Sequence, residues 1–224
     1  MSAAYIKESL GEPEACIIWM HGLGANYQDM AGLAEELKLT SSVRHIFLDA
    51  PIRPVTINNH MKMRAWYDLH GFDFSNNEDR EGILESELFV RTIMKEQVAS
   101  GLLPEQIFLA GFSQGGAMAL FTGLRSQERL GGVIALSSGI PLYSECTLSL
   151  DRKTPIFFAC GQQDPIVLPI WSQKSRDWLA ANDYKSIAWH EYPMEHSICR
   201  QEVTDLRAWL TTQIALPTEK EMRS

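Results

Sequence analysis

The sequence predicts an α/β fold, a mostly parallel sheet with helices on both faces, from three observations. Short β-branched and aliphatic runs recur along the chain. Helical patterns fill the intervals between them, and parallel strands need such intervals because each crossover takes a dozen or more residues. Several of the runs are apolar at every position, as strands covered on both faces are.

The runs that read as strands are residues 15–20, 45–48, 106–110, 132–136, 156–160 and 186–192. The helical candidates are the small-residue run 116–121 and the amphipathic stretches 83–98, 171–181 and 202–214. Residues 51–77 break the rhythm with Pro51, Pro54, Asn58, Asn59 and Gly71, interleaved with Met61, Met63, Trp66, Tyr67, Phe72 and Phe74. So many aromatics argue against disorder and leave two readings, a hydrophobic cluster under a long loop or the wall of a substrate pocket. Residues 1–216 are expected to form one domain, because no repeat, low-complexity tract or linker divides them. Residues 217–224 read as a polar, frayed tail.

Composition narrows the function classes. A chain of 224 residues with 45% hydrophobic content can bury one large core. The net charge of -8 argues against nucleic acid as a partner, since such binding is driven by clustered Lys and Arg. The N-terminal residues lack a basic segment followed by an apolar stretch, and no apolar run approaches bilayer length, so a soluble, cytoplasmic protein without integral membrane association is expected. Cys16, Cys146, Cys160 and Cys199 lack a Cys-x-x-Cys spacing, which disfavours zinc or a disulfide framework and favours reduced, mostly buried thiols. No cofactor or metal is expected.

Gly111-Phe112-Ser113-Gln114-Gly115 is a Gly-x-Ser-x-Gly pentapeptide between an apolar run and a helix-prone run. The pentapeptide alone arises by chance in roughly one chain in ten of this length, so its flanks carry the reading. Strand, sharp turn and helix together lift the serine hydroxyl clear of the backbone, which is the geometry of a nucleophile elbow. A serine hydroxyl needs a base, and the base needs an orienting acid. On such a sheet the chain order is serine, acid, histidine, each at the carboxyl end of a strand. After Ser113 only His190 and His196 remain. His190 lies inside an apolar run and reads as a strand side chain, whereas His196 lies in the loop just past it. Asp164, in the turn after residues 156–160, is the expected acid. Acyl transfer also needs donors for the negative charge that develops on the substrate oxygen. The backbone N–H of Gln114, opening the helix after the nucleophile, is one candidate. The N–H of Leu23, in the loop His21-Gly22-Leu23-Gly24 after an earlier strand, is the other.

The chain resembles the acyl-protein thioesterase, carboxylesterase and lysophospholipase family of small α/β-hydrolases. The likeness is carried by His21-Gly22-Leu23-Gly24, Ala50-Pro51-Ile52-Arg53-Pro54-Val55-Thr56, Trp66-Tyr67-Asp68, Gly111 to Ala117, Asp164-Pro165 and Tyr192-Pro193-Met194. It implies an α/β-hydrolase fold with little or no lid, serine-dependent hydrolysis of esters or thioesters, and an acyl chain in an apolar groove. The substrates it implies are lipids, acylated proteins or simple esters. It implies Ser113 as nucleophile, His196 as base and Asp164 as its partner, and places Trp66 and Phe72 beside the substrate. The chain departs from the family at Glu195, where glycine usually precedes the histidine, at Cys160, at Leu168 and at Ala25-Asn26. A Glu195 side chain turned inward is expected to narrow the site.

The expected reaction is acyl transfer to Ser113 followed by hydrolysis. A catalytically inactive acyl-binding or regulatory protein on the same fold is the alternative, and only Glu195 favours it.

Overall fold

The computed structural model describes residues 3–8, 11–71, 78–146 and 152–217. Nine strands and five α-helices occur among them. The central sheet has seven strands: β1 (Ala3–Lys7), β2 (Ala15–Met20), β3 (Val43–Asp49), β6 (Ile107–Phe112), β7 (Gly132–Leu136), β8 (Ile156–Gly161) and β9 (Ile187–Tyr192). They lie in the order β1-β3-β2-β6-β7-β8-β9, every pairing parallel except the antiparallel β1 at the edge. A separate two-stranded hairpin, β4 (Ile52–Val55) with β5 (Met61–Arg64), stands in the stretch that breaks the helix-strand rhythm.

All six strands read from the sequence are present. β2, β7 and β8 are buried at every position because both faces of the sheet are covered. On one face, α2 (Arg80–Ala99) and α3 (Gln114–Leu124) close a core that contains Ile18, Met20, Leu109, Phe121 and Phe158. On the other, α1 (Tyr27–Leu37) and α5 (Arg200–Ile214) cover Trp19, Phe47, Ile134 and Phe157. The remaining helix, α4 (Pro169–Ala181), follows β8 and begins on a proline, whose missing N–H costs nothing in a first turn. Among the described residues no helix is long and apolar enough to cross a membrane.

Besides the β4–β5 hairpin, β1 and α1 are additions to the sequence reading. β1 pairs along its whole length with β3 although it is short and mostly exposed. α1 starts at Asn26, whose side chain accepts from the Gln28 amide at 2.8 Å and caps the helix. That accounts for the Ala25-Asn26 departure, because asparagine supplies the cap oxygen.

This order places the loops after β2, β6, β8 and β9 along one edge of the sheet, at the carboxyl ends of its strands. In open α/β sheets ligands bind at that edge.

Candidate active site

Ser113 sits between β6 and α3 with φ 54° and ψ -120°, a conformation in which few non-glycine residues are found. The tight turn is permitted by its glycines. A Cβ on Gly111 would overlap the backbone of Gly115, and a Cβ on Gly115 would overlap the carbonyls of Met20 and His21 on the neighbouring strand end. The Ser113 amide is anchored to the Leu136 carbonyl at 2.8 Å, which ties the turn to β7.

The structure brings Ser113, His196 and Asp164 together. Nε2 of His196 lies 2.9 Å from Oγ of Ser113, and Nδ1 lies 2.7 Å from Oδ2 of Asp164. Asp164 is only 2% exposed, and its second oxygen accepts the amides of Ile166 and Val167 at 2.8 and 2.9 Å. Those bonds supply the polar partners that a buried carboxylate requires. The two loops are also tied to each other, Gln162 N–H to Tyr192 carbonyl at 2.8 Å and Gln163 N–H to Met194 carbonyl at 3.1 Å. The Phe112 ring packs 4.8 Å from the imidazole, centroid to centroid. His190 is a strand side chain on β9 stacked on Phe157 at 4.7 Å.

A groove of about 810 Å³ runs over Ser113 and His196. Leu23, Met30, Phe112, Val167 and Ile198 give it apolar walls, and Asp29, Asp68, His70 and Glu78 give it polar ones. Gly22, Leu23 and Gln114 border the same space. Among the described residues neither the Leu23 nor the Gln114 amide donates to an acceptor. Met30, Val167 and Ile198 are pocket residues that the motifs did not single out. Val167 follows Asp164 and Ile198 follows His196 closely enough for chain position to have marked them.

Two expectations about the groove need correction. Trp66 is fully buried behind the wall, its indole N–H donating to the His21 carbonyl at 2.8 Å. The loop reaches the groove through Tyr67 to Gly71 instead. Phe72 lies outside the described residues. Glu195 is exposed and does not border the groove, so its carboxylate does not narrow the site. Cys160 is buried at the end of β8, and burial pushes its thiol up to about 12. Leu168 is the cap residue just before Pro169, part of the entry to α4.

A mostly parallel sheet with a serine on a strained strand-to-helix turn, next to a histidine and a buried aspartate, defines the α/β-hydrolase class. The chain belongs to the phospholipase/carboxylesterase family, whose profile matches residues 1–214. It is a hydrolase of the ester and thioester class. Acyl-protein thioesterase 1 of Yarrowia lipolytica is 35% identical over 210 residues, covering 89% of this chain and 92% of that protein. Acyl-protein thioesterase 1 of Mycosarcoma maydis is 37% identical over 219 residues, covering 89% and 91%. Among solved structures, Arabidopsis thaliana SOBER1 superposes with a TM-score of 0.82 at 30% identity, covering 89% of this chain and 99% of that one. Zea mays acyl-protein thioesterase 2 gives the same TM-score at 25% identity, covering 95% and 99%.

Proposed function

We propose that the protein hydrolyses carboxylic esters or thioesters of acyl chains through an acyl-enzyme on Ser113. The observation that supports this best is the unbroken chain Asp164–His196–Ser113 at 2.7 and 2.9 Å on the floor of a groove with apolar walls. With the proton on Nδ1 directed to Asp164, Nε2 is free to accept the Ser113 proton as Oγ bonds to the acyl carbon. The carbonyl oxygen becomes an oxyanion facing the Leu23 and Gln114 amides. The imidazolium then protonates the departing thiolate or alkoxide as its bond to carbon breaks. Water attacks the acyl-enzyme next, giving one proton to His196 and the hydroxyl to the acyl carbon. The Ser113 oxygen leaves with the proton that His196 returns to it. Asp164 remains a carboxylate throughout and stabilises the transient imidazolium.

Carbon-chain recognition falls to the apolar wall, and the similarity to acyl-protein thioesterases makes a thioester of an acylated protein the leading substrate.

The test is Ser113→Ala on an aryl ester and on an acyl thioester. Turnover should fall by about 10³-fold or more, as loss of a nucleophile does, and labelling by a fluorophosphonate should vanish. Undiminished turnover in that variant rejects the proposal, and a folded wild type that takes no label favours an acyl-binding protein instead.

A further inference from the structure

The two amides proposed to receive the oxyanion come from different parts of the chain, Leu23 after β2 and Gln114 at the start of α3. Their relative placement is worth much of the catalytic effect, because a donor helps only where the oxyanion forms. A buried circuit of hydrogen bonds connects them, and none of its side chains is part of Ser113, His196 or Asp164.

The circuit starts at His21, which is fully buried. Its Nε2 lies 3.0 Å from the Ala50 amide. That N–H can only donate, so Nε2 accepts and the ring proton sits on Nδ1. Nδ1 lies 2.7 Å from the Gly22 carbonyl and donates to it. Burial lowers the imidazole below its ordinary range, which keeps the ring neutral and the tautomer fixed. The carbonyl of Gly22 and the N–H of Leu23 belong to one planar trans peptide and point in opposite directions. Holding the carbonyl against the His21 ring therefore turns the Leu23 N–H away from it, toward the groove that Leu23 lines.

Trp66 makes the second link. Its indole N–H donates to the His21 carbonyl at 2.8 Å, and its ring packs 5.4 Å from the imidazole. Its own amide donates to Oε1 of Gln114 at 2.9 Å, while Nε2 of Gln114 donates to the Tyr67 carbonyl at 2.8 Å. The Trp66 carbonyl accepts from Ser86 of α2, which fixes the segment to the helix layer. Gln114 thus presents its amide to the groove while its side chain is clamped to residues 66 and 67.

On the reading of Ser113 as nucleophile, we propose that His21, Trp66 and the Gln114 carboxamide form a buried brace that sets the spacing and direction of the two oxyanion donors. These three are positioning residues. The brace strengthens interactions with a tetrahedral oxyanion and leaves ground-state binding nearly unchanged, so it acts on kcat rather than KM.

The experiment compares Trp66→Phe, Gln114→Met and the double variant with wild type. Trp66→Phe removes the indole N–H together with one ring of the fully buried side chain but keeps an aromatic face, a smaller loss of packing than alanine, and it serves as the folded variant if His21 variants do not fold. Each single variant should lower kcat about 10- to 100-fold, below the loss expected for deleting a donor outright, with KM changed by less than about threefold. Affinity for an alkyl trifluoromethyl ketone, which Ser113 converts to a tetrahedral oxyanion adduct, should fall by the same factor as kcat/KM. Binding of the carboxylate product should not change. The double variant should be scarcely worse than the poorer single one, because either change releases the same circuit. Wild-type kcat in both singles, equal losses for ketone and product, or fully multiplicative losses in the double variant would each overturn the brace. Ser113→Ala is assayed alongside. Activity surviving there removes the nucleophile reading itself, whereas an inactive Ser113→Ala with unaffected braces removes only this inference.

Discussion

Oδ2 of Asp164 lies 2.7 Å from Nδ1 of His196, and the same carboxylate is held from its other side by the amides of Ile166 and Val167. The aspartate is therefore held in place before it meets the imidazole, and in the proposed mechanism it keeps the ring proton on Nδ1. Asp164→Asn preserves the shape and the contact with the two amides but can present an N–H to Nδ1, moving the ring proton to Nε2. A protonated Nε2 cannot accept from Ser113. The variant should fold as wild type by circular dichroism and lose about 10³- to 10⁴-fold in kcat, as wrong-tautomer variants of such triads do. A loss under tenfold would remove Asp164 from its proposed role of orienting His196.

The groove makes a second, independent prediction. Met30, Val167 and Ile198 offer apolar wall within reach of Ser113. Each buried methylene contributes about 0.8 kcal/mol, roughly fourfold, so kcat/KM for aryl esters should climb with acyl length until the wall is covered. Ile198→Ser should flatten that climb while leaving the acetyl ester within about threefold of wild type, because the shortest substrate does not reach the wall. Equal effects on acetyl and octanoyl esters would mean that the chain lies elsewhere.

Gly115 tests the elbow rather than the chemistry. Its missing Cβ leaves room for the carbonyls of Met20 and His21, so Gly115→Ala must push α3 away from β2. The strain should destabilise the protein by about 3 kcal/mol, the upper range for overpacking, read as a lower urea midpoint. The displaced Gln114 amide should lower kcat as well. An alanine tolerated without change in either quantity would contradict the close approach seen between the turn and the β2 end.

The grouping of Ser113, His196 and Asp164 was legible in the sequence because these residues sit at strand ends in a fixed chain order. Ser113 is framed by glycines, Asp164 follows β8 directly, and only one histidine after Ser113 lies in a loop. The outer pieces were less legible. β1 is short and exposed, and pairing with β3 rather than any apolar alternation makes it a strand. α1 does carry a helical stripe, Met30, Leu33, Ala34 and Leu37, but the glycine-rich loop before it masks its start. Trp66 could not be assigned from sequence, since an aromatic in a groove wall and one behind it have the same composition. What separates them is the partner of the indole N–H, here the carbonyl of His21.

Glu202 supplies a pH test of stability. It lies fully buried in the first turn of α5, where one carboxyl oxygen accepts the Cys199 amide at 3.4 Å and the other has no partner among the described residues. Burial pushes the carboxyl up to about 8, against 4.5 ordinarily, with the Cys199 amide opposing the shift. The folded state thus holds this proton more tightly than the unfolded chain does. Below about pH 4.5 both states are protonated and Glu202 carries no charge penalty. Between about 4.5 and 8 the unfolded chain ionises first, so the unfolded state gains and stability falls as pH rises. Glu202→Gln keeps the oxygen that accepts from Cys199 and removes the ionisation. Its unfolding free energy, read from urea titrations, should match wild type near pH 4.5 and exceed it increasingly toward pH 8.5, by on the order of 4 kcal/mol. Because every other titrating group is common to both proteins, the difference between the two curves isolates Glu202. A gap that stays constant with pH would mean that Glu202 titrates alike in the folded and unfolded chains, and that the cap on Cys199 together with burial leaves its ionisation undisturbed.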